Sequence, residues 1–506
     1  LYEENFNIYK AFTTAEEKLY LSYDSANSDG KSLRPSSLIL KLKKIFPKLQ
    51  EESDVVSEKF EITNEEATYG EMIKQIAKMY KGEKIEDVWH LIYKYYNSNE
   101  KFNRKLNKDL KALTYKIEPE KLNEDNINKL YGKNLKTSIS KLERYKSCPF
   151  SYYLQYGLNL KEKEELKIQT LNTGTFMHEV IDEFFEKIKE LKQSPRNITE
   201  EDLKLIVNDI VEEKLGQTKN YIFSSSEKYK LLVIRLKKII CKALKYILLT
   251  LVNSEFTVEG TEIEFGEKGR YKPIKLKLDD GKNVEIIGKI DRLDIAKNED
   301  GKYIRIIDYK SSIKDIDLNN VYAGLQLQLL TYMDAVCKAE DFLPAGILYF
   351  SVLEQIIKSD KNMSEEEIEN KIRAKFKMKG LILADIKVVK MHDKNIQEGK
   401  ASDIIPAFID KSGELSPKKT NGVTQKQFSD LQKYIDKILK QIVKEIYSGK
   451  VDIKPYYKKG GITNTPCSYC KYGSVCGFNY GICKKEYNFI PNYTKEEIFN
   501  KIKEEK

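Results

Sequence analysis

The sequence lacks the features of a membrane protein and of a nucleotide-driven motor. Its most apolar stretch, residues 231–252, contains five Lys or Arg side chains, which interrupt the run of about 20 apolar residues that a membrane-spanning helix needs. It contains no Gly-x4-Gly-Lys-Ser/Thr sequence, so no phosphate-binding loop can be assigned. No secretion signal, internal repeat or low-complexity linker is visible either. We therefore expect no membrane attachment and a cytoplasmic location.

Cysteine is scarce and unevenly distributed. The chain has seven cysteines, and an odd number argues against a complete disulfide framework. Cys467, Cys470 and Cys476 follow the pattern C-x2-C-x5-C, which is typical of a thiolate metal site in an intracellular protein. Cys241 and Cys337 fall within apolar helical patterns and are predicted to be buried, unreactive thiols.

Arginine is also rare, although the chain is rich in charge. Of 88 basic residues only nine are Arg, and 78 acidic residues leave a net charge of +10. This balance weakly favours a nucleic-acid partner. The chain has 506 residues, of which 41% are hydrophobic, enough for large cores in two to four domains at about 150 residues each. It starts at Leu1 inside what reads as a structured segment, so we expect a fragment of a longer polypeptide.

The first quarter of the chain reads as mostly helical. Residues 5–25 predict a helix followed by a strand at 19–23. Further along, apolar residues recur at helical spacing; Trp89 is expected in the core, and His90 is expected to be packed or exposed. Gly and Ser collect near residues 131–140, which indicates a boundary. The predicted domains are 1–135 and 136–506.

Beyond this boundary, helices and strands follow one another as in an α/β fold. A helix over 139–157, interrupted at Pro149, precedes a helix over 173–191 that either Thr173 or Thr175 can cap. The further predicted elements are helices over 200–254, strands over 256–312, a helix over 321–339, a strand over 344–353 and a helix over 424–449.

The most informative segment is an acidic hairpin at residues 285–312. Two β-branched runs flank the turn 298–301, and a hairpin symmetric about this turn places Asp291 directly opposite Asp308. Because side chains alternate along a strand, Lys310 shares the face of Asp308. Two carboxylates and one ammonium group therefore converge on one side of the sheet, unless a bulge shifts the register.

Two acids this close repel each other when ionised, and a divalent cation would compensate for the repulsion. Mg²⁺ takes hard oxygen ligands and is commonly held by one or two carboxylates and a substrate phosphate. With a lysine to hold the attacking water, this is the chemistry of metal-assisted phosphodiester hydrolysis. The alternative is a solvated hairpin face with an incidental ion pair. The surrounding isoleucines favour the first interpretation, because unpaired acids are costly in a buried strand pair.

These residues carry a family resemblance. Asp291 followed by Asp308-Tyr309-Lys310 resembles the PD-(D/E)xK nuclease motif. Neighbouring segments resemble three motifs of RecB-type nucleases: G-x-x-x-H at 174–178, G-x-I-D-R-x-D at 288–294 and Q-x-x-x-Y at 328–332. With the cysteines, the set is similar to the B subunits of AddAB-type helicase–nucleases over about residues 1–485. The resemblance implies a restriction-endonuclease-like mixed sheet flanked by helices.

The start of the chain extends this resemblance. Residues 5–25 resemble the last conserved motif of superfamily 1 DNA helicases, in which an Arg senses ATP. Thr14 stands at the position of that Arg. The resemblance therefore implies that residues 1–135 are the end of a degenerate helicase-like domain that does not use this motif for ATP hydrolysis.

The resemblance also implies the ligands of the metal. His178, Asp291 and Asp308 would bind Mg²⁺ or Mn²⁺, with the backbone carbonyl of Tyr309 as a further ligand. Glu262 would match an acidic residue of the first nuclease motif, with Glu264 as its rival.

Three more residues receive roles from the resemblance. Lys310 would position or activate the attacking water. Gln328 and Tyr332, four positions apart, share a helix face and would hold the DNA backbone or the geometry of the site. Gln326 competes with Gln328, but only Gln328 has the right spacing to Tyr332.

Four thiolates are needed for a [4Fe–4S] cluster or a structural zinc site. Cys467, Cys470 and Cys476 leave two candidates for the fourth ligand, Cys148 and Cys483. The resemblance favours Cys148 and a [4Fe–4S] cluster, because that family places one cysteine before the nuclease motifs and three after them. Cys483 would make a compact zinc site instead.

Three functions remain open from the sequence. The first is a metal-dependent deoxyribonuclease acting on the 5′-ended strand, in a heterodimer with a helicase–nuclease A subunit, for double-strand-break processing and recombinational repair. The second is a non-catalytic DNA-binding scaffold subunit. The third is a free-standing exonuclease of the Cas4 type, which lacks a helicase-like start.

Overall fold

The computed structural model describes residues 2–26, 32–52, 62–80, 83–115, 117–161, 170–217, 223, 225–278, 281–353, 363–459, 464–478 and 486–505. These residues form two compact units. The first comprises residues 1–78 and 84–106, and the second comprises residues 79–83 and 107–506.

The first unit is helical in its described part. Its helices are α1 (Tyr2–Thr13), α2 (Ser37–Ile45), α3 (Glu65–Tyr80), α4 (Val88–Ser98) and the start of α5 (Glu100–Leu113). Aromatic rings form its core, where Tyr69 contacts Tyr96 and Phe102 at centroid distances of 5.3 and 5.6 Å. Trp89 is buried in this unit, as predicted, and His90 is exposed.

The strand predicted at residues 19–23 is wrong. These residues are irregular and exposed, and no described strand pairs with them. Alternation of apolar residues alone does not make a strand, because the backbone groups of a strand need a partner in a ladder.

The second unit contains the predicted α/β fold. Its helices are α6 (Glu124–Tyr131), α7 (Ile139–Ser147), α8 (Pro149–Tyr152), α9 (Thr170–Glu190), α10 (Glu200–Leu215), α11 (Glu227–Val252), α12 (Leu318–Tyr322), α13 (Gln328–Glu340), α14 (Glu365–Phe376), α15 (Ile386–His392), α16 (Gln425–Tyr447), α17 (Gly473–Cys476) and α18 (Lys495–Glu504). Among the described helices of the chain, none combines the length and the apolar character needed to span a membrane.

Its strands are β1 (Leu135–Thr137), β2 (Thr257–Phe265), β3 (Ile274–Lys277), β4 (Asn283–Ile286), β5 (Gly288–Asn298), β6 (Gly301–Lys310), β7 (Leu343–Ser351), β8 (Lys379–Leu383), β9 (Gly422–Val423), β10 (Tyr456–Lys458) and β11 (Asn488–Ile490). Six of them form a mixed sheet in the order β2-β5-β6-β7-β8-β9. β6 lies inside this sheet, antiparallel to β5 and parallel to β7. β1, β4 and β3 form a second, small sheet, and β10 pairs with β11.

Helices cover both faces of the six-stranded sheet. On one face Ile304 and Ile306 of β6 pack with residues of α7, α13 and α16. On the other face Ile307 and Tyr309 pack with residues of α9, α10 and α11. Because β6 is buried on both sides, a charged side chain on it needs a partner or a ligand.

Several predicted helix boundaries need correction. α9 begins at Thr170, so neither Thr173 nor Thr175 is its cap; both lie inside the helix. The helices predicted over 200–254 are α10 and α11. The helix predicted over 321–339 is also two helices, and Gly324 between them has φ of +82°, a conformation that favours glycine and ends a helix.

Candidate metal centre and active site

The predicted hairpin register is confirmed. The pairs run from Arg292 opposite Ile307 to Asn298 opposite Gly301. Asp291 and Asp308 occupy the next positions outward, at the end of the strand pair away from the turn. There the Oδ2 of Asp291 accepts a hydrogen bond from the backbone N–H of Tyr309 at 2.9 Å.

Two further functional groups, from His178 and Glu262, lie close to Asp291. The Nδ1 of His178, on α9, lies 3.3 Å from the Oδ2 of Asp291. One ligand atom each from His178, Glu262 and Asp291 lie within 4.8 Å of one another. The ring of His178 also hydrogen-bonds the backbone carbonyl of Tyr309. Three elements distant in sequence, α9, β2 and β5, therefore bring their donors to one point.

The electrostatics of this group suit a cation. Burial and the nearby Asp308 charge raise the pKa of Asp291 well above its usual range. Burial and the Lys310 charge lower the pKa of His178, so its imidazole is neutral near pH 7 and has a lone pair for a metal. Carboxylate oxygens with one imidazole are donors that Mg²⁺ and Mn²⁺ accept.

Asp308 supplies the test of whether a cation fits. Its side chain is buried, and the Nζ of Lys310, whose side chain is 28% exposed, lies 2.5 Å from its Oδ2. A carboxylate has about four acceptor sites, so one ion pair leaves it able to bind a cation as well. The residues present therefore fit a divalent cation.

Glu262 lies beside the metal-binding group, whereas its rival Glu264 is exposed. Burial raises the pKa of Glu262, and its carboxylate lies 2.9 Å from the Nζ of Lys289. Its φ is +47°, a left-handed conformation that costs a non-glycine residue free energy and is typical of functional sites. The geometry favours Glu262 over Glu264.

Gln328 and Tyr332 lie on one face of α13, as their spacing predicts. The Tyr332 hydroxyl forms hydrogen bonds with the side chain of Gln328 and with the backbone of Lys289. Gln326 has a different partner set, because its side chain bonds the backbone of Asp317 and Asp315 at 2.9 and 3.0 Å. Gln328 thus faces β5, the strand of Asp291, whereas Gln326 stabilises the loop at Asp315 and Asp317.

Two charged residues of the site were missed from the sequence. The Oε1 of Glu143, on α7, accepts the backbone N–H groups of Leu327 and Gln328 at 2.6 and 3.1 Å. Lys314 lies over the ring of Tyr349 at 5.0 Å, and burial and the Lys310 charge lower its pKa. No pattern in the sequence signals the contact of Glu143, because its partners lie 184 and 185 positions away.

The motif residues Arg292 and Asp294 point away from the metal-binding group. Arg292 forms two hydrogen bonds of 2.6 Å with Asp294, and Arg305 approaches the same carboxylate at 2.8 Å. Burial opposes ionisation of Asp294, but the two guanidinium groups hold its pKa below the usual range. This part of the motif therefore ties β5 to β6 on the opposite face of the sheet.

The predicted cysteine site has its own cavity. Cys148, Cys467, Cys470 and Cys476 line a cavity of about 100 Å³ together with apolar residues such as Phe150. Burial raises the pKa of the Cys148 thiol to about 11, and metal binding would displace that proton. Four thiols are the donor set of an iron–sulfur cluster or zinc. Among the described residues no three of these sulfur atoms lie within 4.8 Å of one another, so the cavity gathers the right donors without forming a closed site.

The predictions for the three remaining cysteines are only partly confirmed. Cys483 lies outside the described residues. Cys241 and Cys337 are half-buried rather than fully buried, because each packs at the edge of a hydrophobic core.

Comparison with known proteins agrees with this geometry. Residues 136–477 match the family model described as the PD-(D/E)XK nuclease superfamily. Residues 57–112 match the model described as the fifth domain of the ATP-dependent helicase/deoxyribonuclease AddB.

The chain is also similar to curated proteins that are named as the B subunit of an ATP-dependent helicase/deoxyribonuclease. It is 37% identical to that of Clostridium novyi over 516 positions, covering 100% of this chain and 45% of the relative. It is 36% identical to that of Caldanaerobacter subterraneus, covering 100% of this chain and 44% of the relative. It is 37% identical to that of Clostridioides difficile, covering 99% and 45%. The chain thus spans less than half the length of these relatives.

Proposed function

Because the chain belongs to the PD-(D/E)XK nuclease superfamily, we propose that its second unit is a deoxyribonuclease that needs Mg²⁺ or Mn²⁺. The observation that carries the proposal is that His178, Glu262 and Asp291 each bring one ligand atom within 4.8 Å of the others, while the paired strand carries the ion pair between the buried Asp308 and Lys310. The proposed metal ligands are His178, Asp291, Asp308 and the carbonyl of Tyr309, and the contact of Glu262 adds a carboxylate.

The residues of the chain have separate tasks in the proposed hydrolysis. A bound divalent cation supplies Lewis-acid stabilisation of the phosphodiester and lowers the pKa of a water. Asp308 and Lys310 lie 2.5 Å apart, so the ammonium group can orient that water while the carboxylate holds the cation. Neutral His178 donates its lone pair without adding positive charge. Tyr332 is buried and holds the start of α13 against β5, and Gln328 would hold the DNA backbone.

The biological setting is proposed from the relatives. The similar proteins are named as B subunits of an ATP-dependent helicase/deoxyribonuclease, which supports a heterodimer with a motor-bearing A subunit. In that complex the unit would cut the 5′-ended strand during the repair of double-strand breaks. The domains proposed for this role are 1–135, as a degenerate helicase-like end, and 136–506, as the nuclease.

We further propose that Cys148, Cys467, Cys470 and Cys476 hold a [4Fe–4S] cluster. Their common cavity supports this assignment. Such a cluster would fasten the end of α7 to a segment more than 300 positions later in the chain, and closing a long loop in this way stabilises the folded state.

The test is digestion of single- and double-stranded DNA, labelled at either end, with Mg²⁺ and the A subunit supplied. Asp308→Ala should lose cleavage by at least about a thousandfold, because the cation and its water lose a ligand. Asp300→Ala is the matched control, since this exposed acid sits in the turn of the same hairpin and pairs with Lys387 at 3.4 Å. Absence of cleavage by the wild type with intact cysteine ligation would contradict the nuclease function and favour the DNA-binding scaffold.

A further inference from the structure

Glu143 makes a contact that the proposed chemistry does not use. It lies on α7, and its Oε1 accepts the backbone N–H groups of Leu327 and Gln328 at 2.6 and 3.1 Å. The first N–H groups of a helix have no partner within the helix. Leu327, at the N-cap position of α13, has no side chain that could satisfy them. Glu143, which lies on α7, therefore caps the N-terminus of α13.

The geometry of this contact fixes a functional helix. Gln328 is the first residue of α13, and one turn later Tyr332 reaches the backbone of β5. A carboxylate at a helix N-terminus also interacts favourably with the helix dipole. The two N–H groups thus set the position and the axial rotation of the first turn of α13.

The helix that carries Glu143 is itself held firmly. The hydroxyl of Tyr145 donates to the carbonyl of Lys450 at 3.3 Å, and Lys146 lies 3.7 Å from Glu445. Cys148 follows directly and lines the cysteine cavity. A carboxylate on such a fixed helix can serve as a rigid reference for α13.

We propose that Glu143 is a positioning residue of the nuclease site, which holds the N-terminus of α13 so that Gln328 and Tyr332 meet β5. The proposal rests on the proposed function of that site. Glu143 acts through Gln328 and Tyr332 and does not itself contact the metal-binding group. Burial raises the pKa of Glu143, and the hydrogen bonds from α13 and the charges of Lys314 and Lys310 only partly offset this shift.

Three substitutions separate the capping from other effects. Glu143→Ala removes the acceptor, and kcat/KM should fall about 10- to 100-fold, as expected for a small misplacement of positioning groups. Glu143→Gln keeps an oxygen acceptor of the same length and should retain activity within a few-fold. Glu143→Asp is shorter by one methylene group and should behave like Ala. Glu445→Gln is the matched control, because it removes a carboxylate that lies 3.7 Å from Lys146 of α7 and does not contact the N-terminus of α13.

Hydrogen–deuterium exchange of the full chain gives a readout that does not depend on activity. The amides of Leu327 and Gln328 should exchange at least tenfold faster in Glu143→Ala and at the wild-type rate in Glu143→Gln and Glu445→Gln. Equal exchange in all variants, or full activity in Glu143→Ala, would overturn the positioning role. An inactive wild type in which exchange still follows this pattern would contradict the proposed nuclease function while supporting the role of Glu143 in holding α13.

Discussion

The hydroxyl of Tyr332 fills the space in which a Cβ on Gly288 would lie. Gly288 opens β5, three residues before Asp291, and Tyr332 extends from α13. A side chain at position 288 would push Tyr332 and the start of β5 apart. The glycine of one sequence motif is therefore required by the tyrosine of another.

Gly288→Ala should destabilise the second unit by about 1–3 kcal/mol, the usual cost of forcing a methyl group into a packed site. The urea midpoint followed by circular dichroism measures this change. Gly174→Ala is the control, because the nearest atom to its Cβ would be the Oγ of Ser311 at 3.7 Å. Inside α9 this change should be neutral or stabilising by up to about 1 kcal/mol. Equal midpoints for the two variants would contradict the close contact.

The two neighbouring acids of β2 should differ in their effect on metal binding. Glu262→Gln should weaken Mn²⁺ binding at least about tenfold, because Glu262 meets His178 and Asp291 and a carboxylate binds a hard cation better than an amide does. Glu264→Gln should leave the affinity unchanged, since this side chain is 60% exposed and pairs with Lys289 at 3.5 Å. Titration calorimetry or Mn²⁺ paramagnetic resonance checks both variants. The reverse order of effects would assign the metal to Glu264.

The cysteine cavity predicts a coloured protein. After anaerobic purification the chain should show broad absorption near ~400 nm, as thiolate-ligated iron–sulfur clusters do. Cys148→Ala should lose this absorption and lower the thermal midpoint, whereas Cys241→Ala, at a half-buried position on α11, should change only local packing. A colourless wild type with one zinc per chain would argue for the zinc alternative and for Cys483.

His392 predicts a specific sensitivity to acid. Burial and the charge of Arg305 lower its pKa well below the usual value. Its Nδ1 lies 3.3 Å from Arg305, a donor, and its Nε2 lies 3.4 Å from the carbonyl of Ala345, an acceptor. Both contacts suit the neutral ring. Below about pH 6.5 this histidine therefore binds a proton in the unfolded chain but not in the folded chain. The free energy of unfolding consequently falls as the pH falls, by up to about 1.4 kcal/mol per pH unit.

Acid unfolding followed by near-ultraviolet circular dichroism checks this slope. His392→Gln should reduce it by about one proton equivalent. His90→Gln, at an exposed position in the other unit, is the matched control and should leave the slope as it is. An unchanged slope in His392→Gln would show that other groups govern the acid response.

Local rules explain what could be predicted from the sequence. The turn at 298–301 fixed the register of β5 and β6, because a short hairpin loop determines which residues face each other. Helical spacing likewise placed Gln328 and Tyr332 on one face of α13. Each of these predictions needed only residues close together in the chain.

The missed features depend on contacts between distant segments. Glu143 caps a helix 184 positions away, and the role of Asp294 follows from its position between Arg292 and Arg305. The strand predicted at 19–23 failed for the same reason, since no described partner strand lies beside it. Periodicity reports which face of an element is apolar, but it does not report what lies against that face.

Hydrogen bonds between the residues before the six-stranded sheet and those after it have a consequence for synthesis on the ribosome. Leu122 donates to Gly449, Phe150 donates to Asp452, and Tyr447 reaches Gly132 across 315 positions. At 5–20 residues per second the earlier segment waits roughly 15–60 s for these partners to be translated. During that time the apolar face of α7 has no helix α16 to cover it. The newly made segment therefore exposes this apolar face until α16, which begins at Gln425, emerges, unless the neighbouring sheet covers it first.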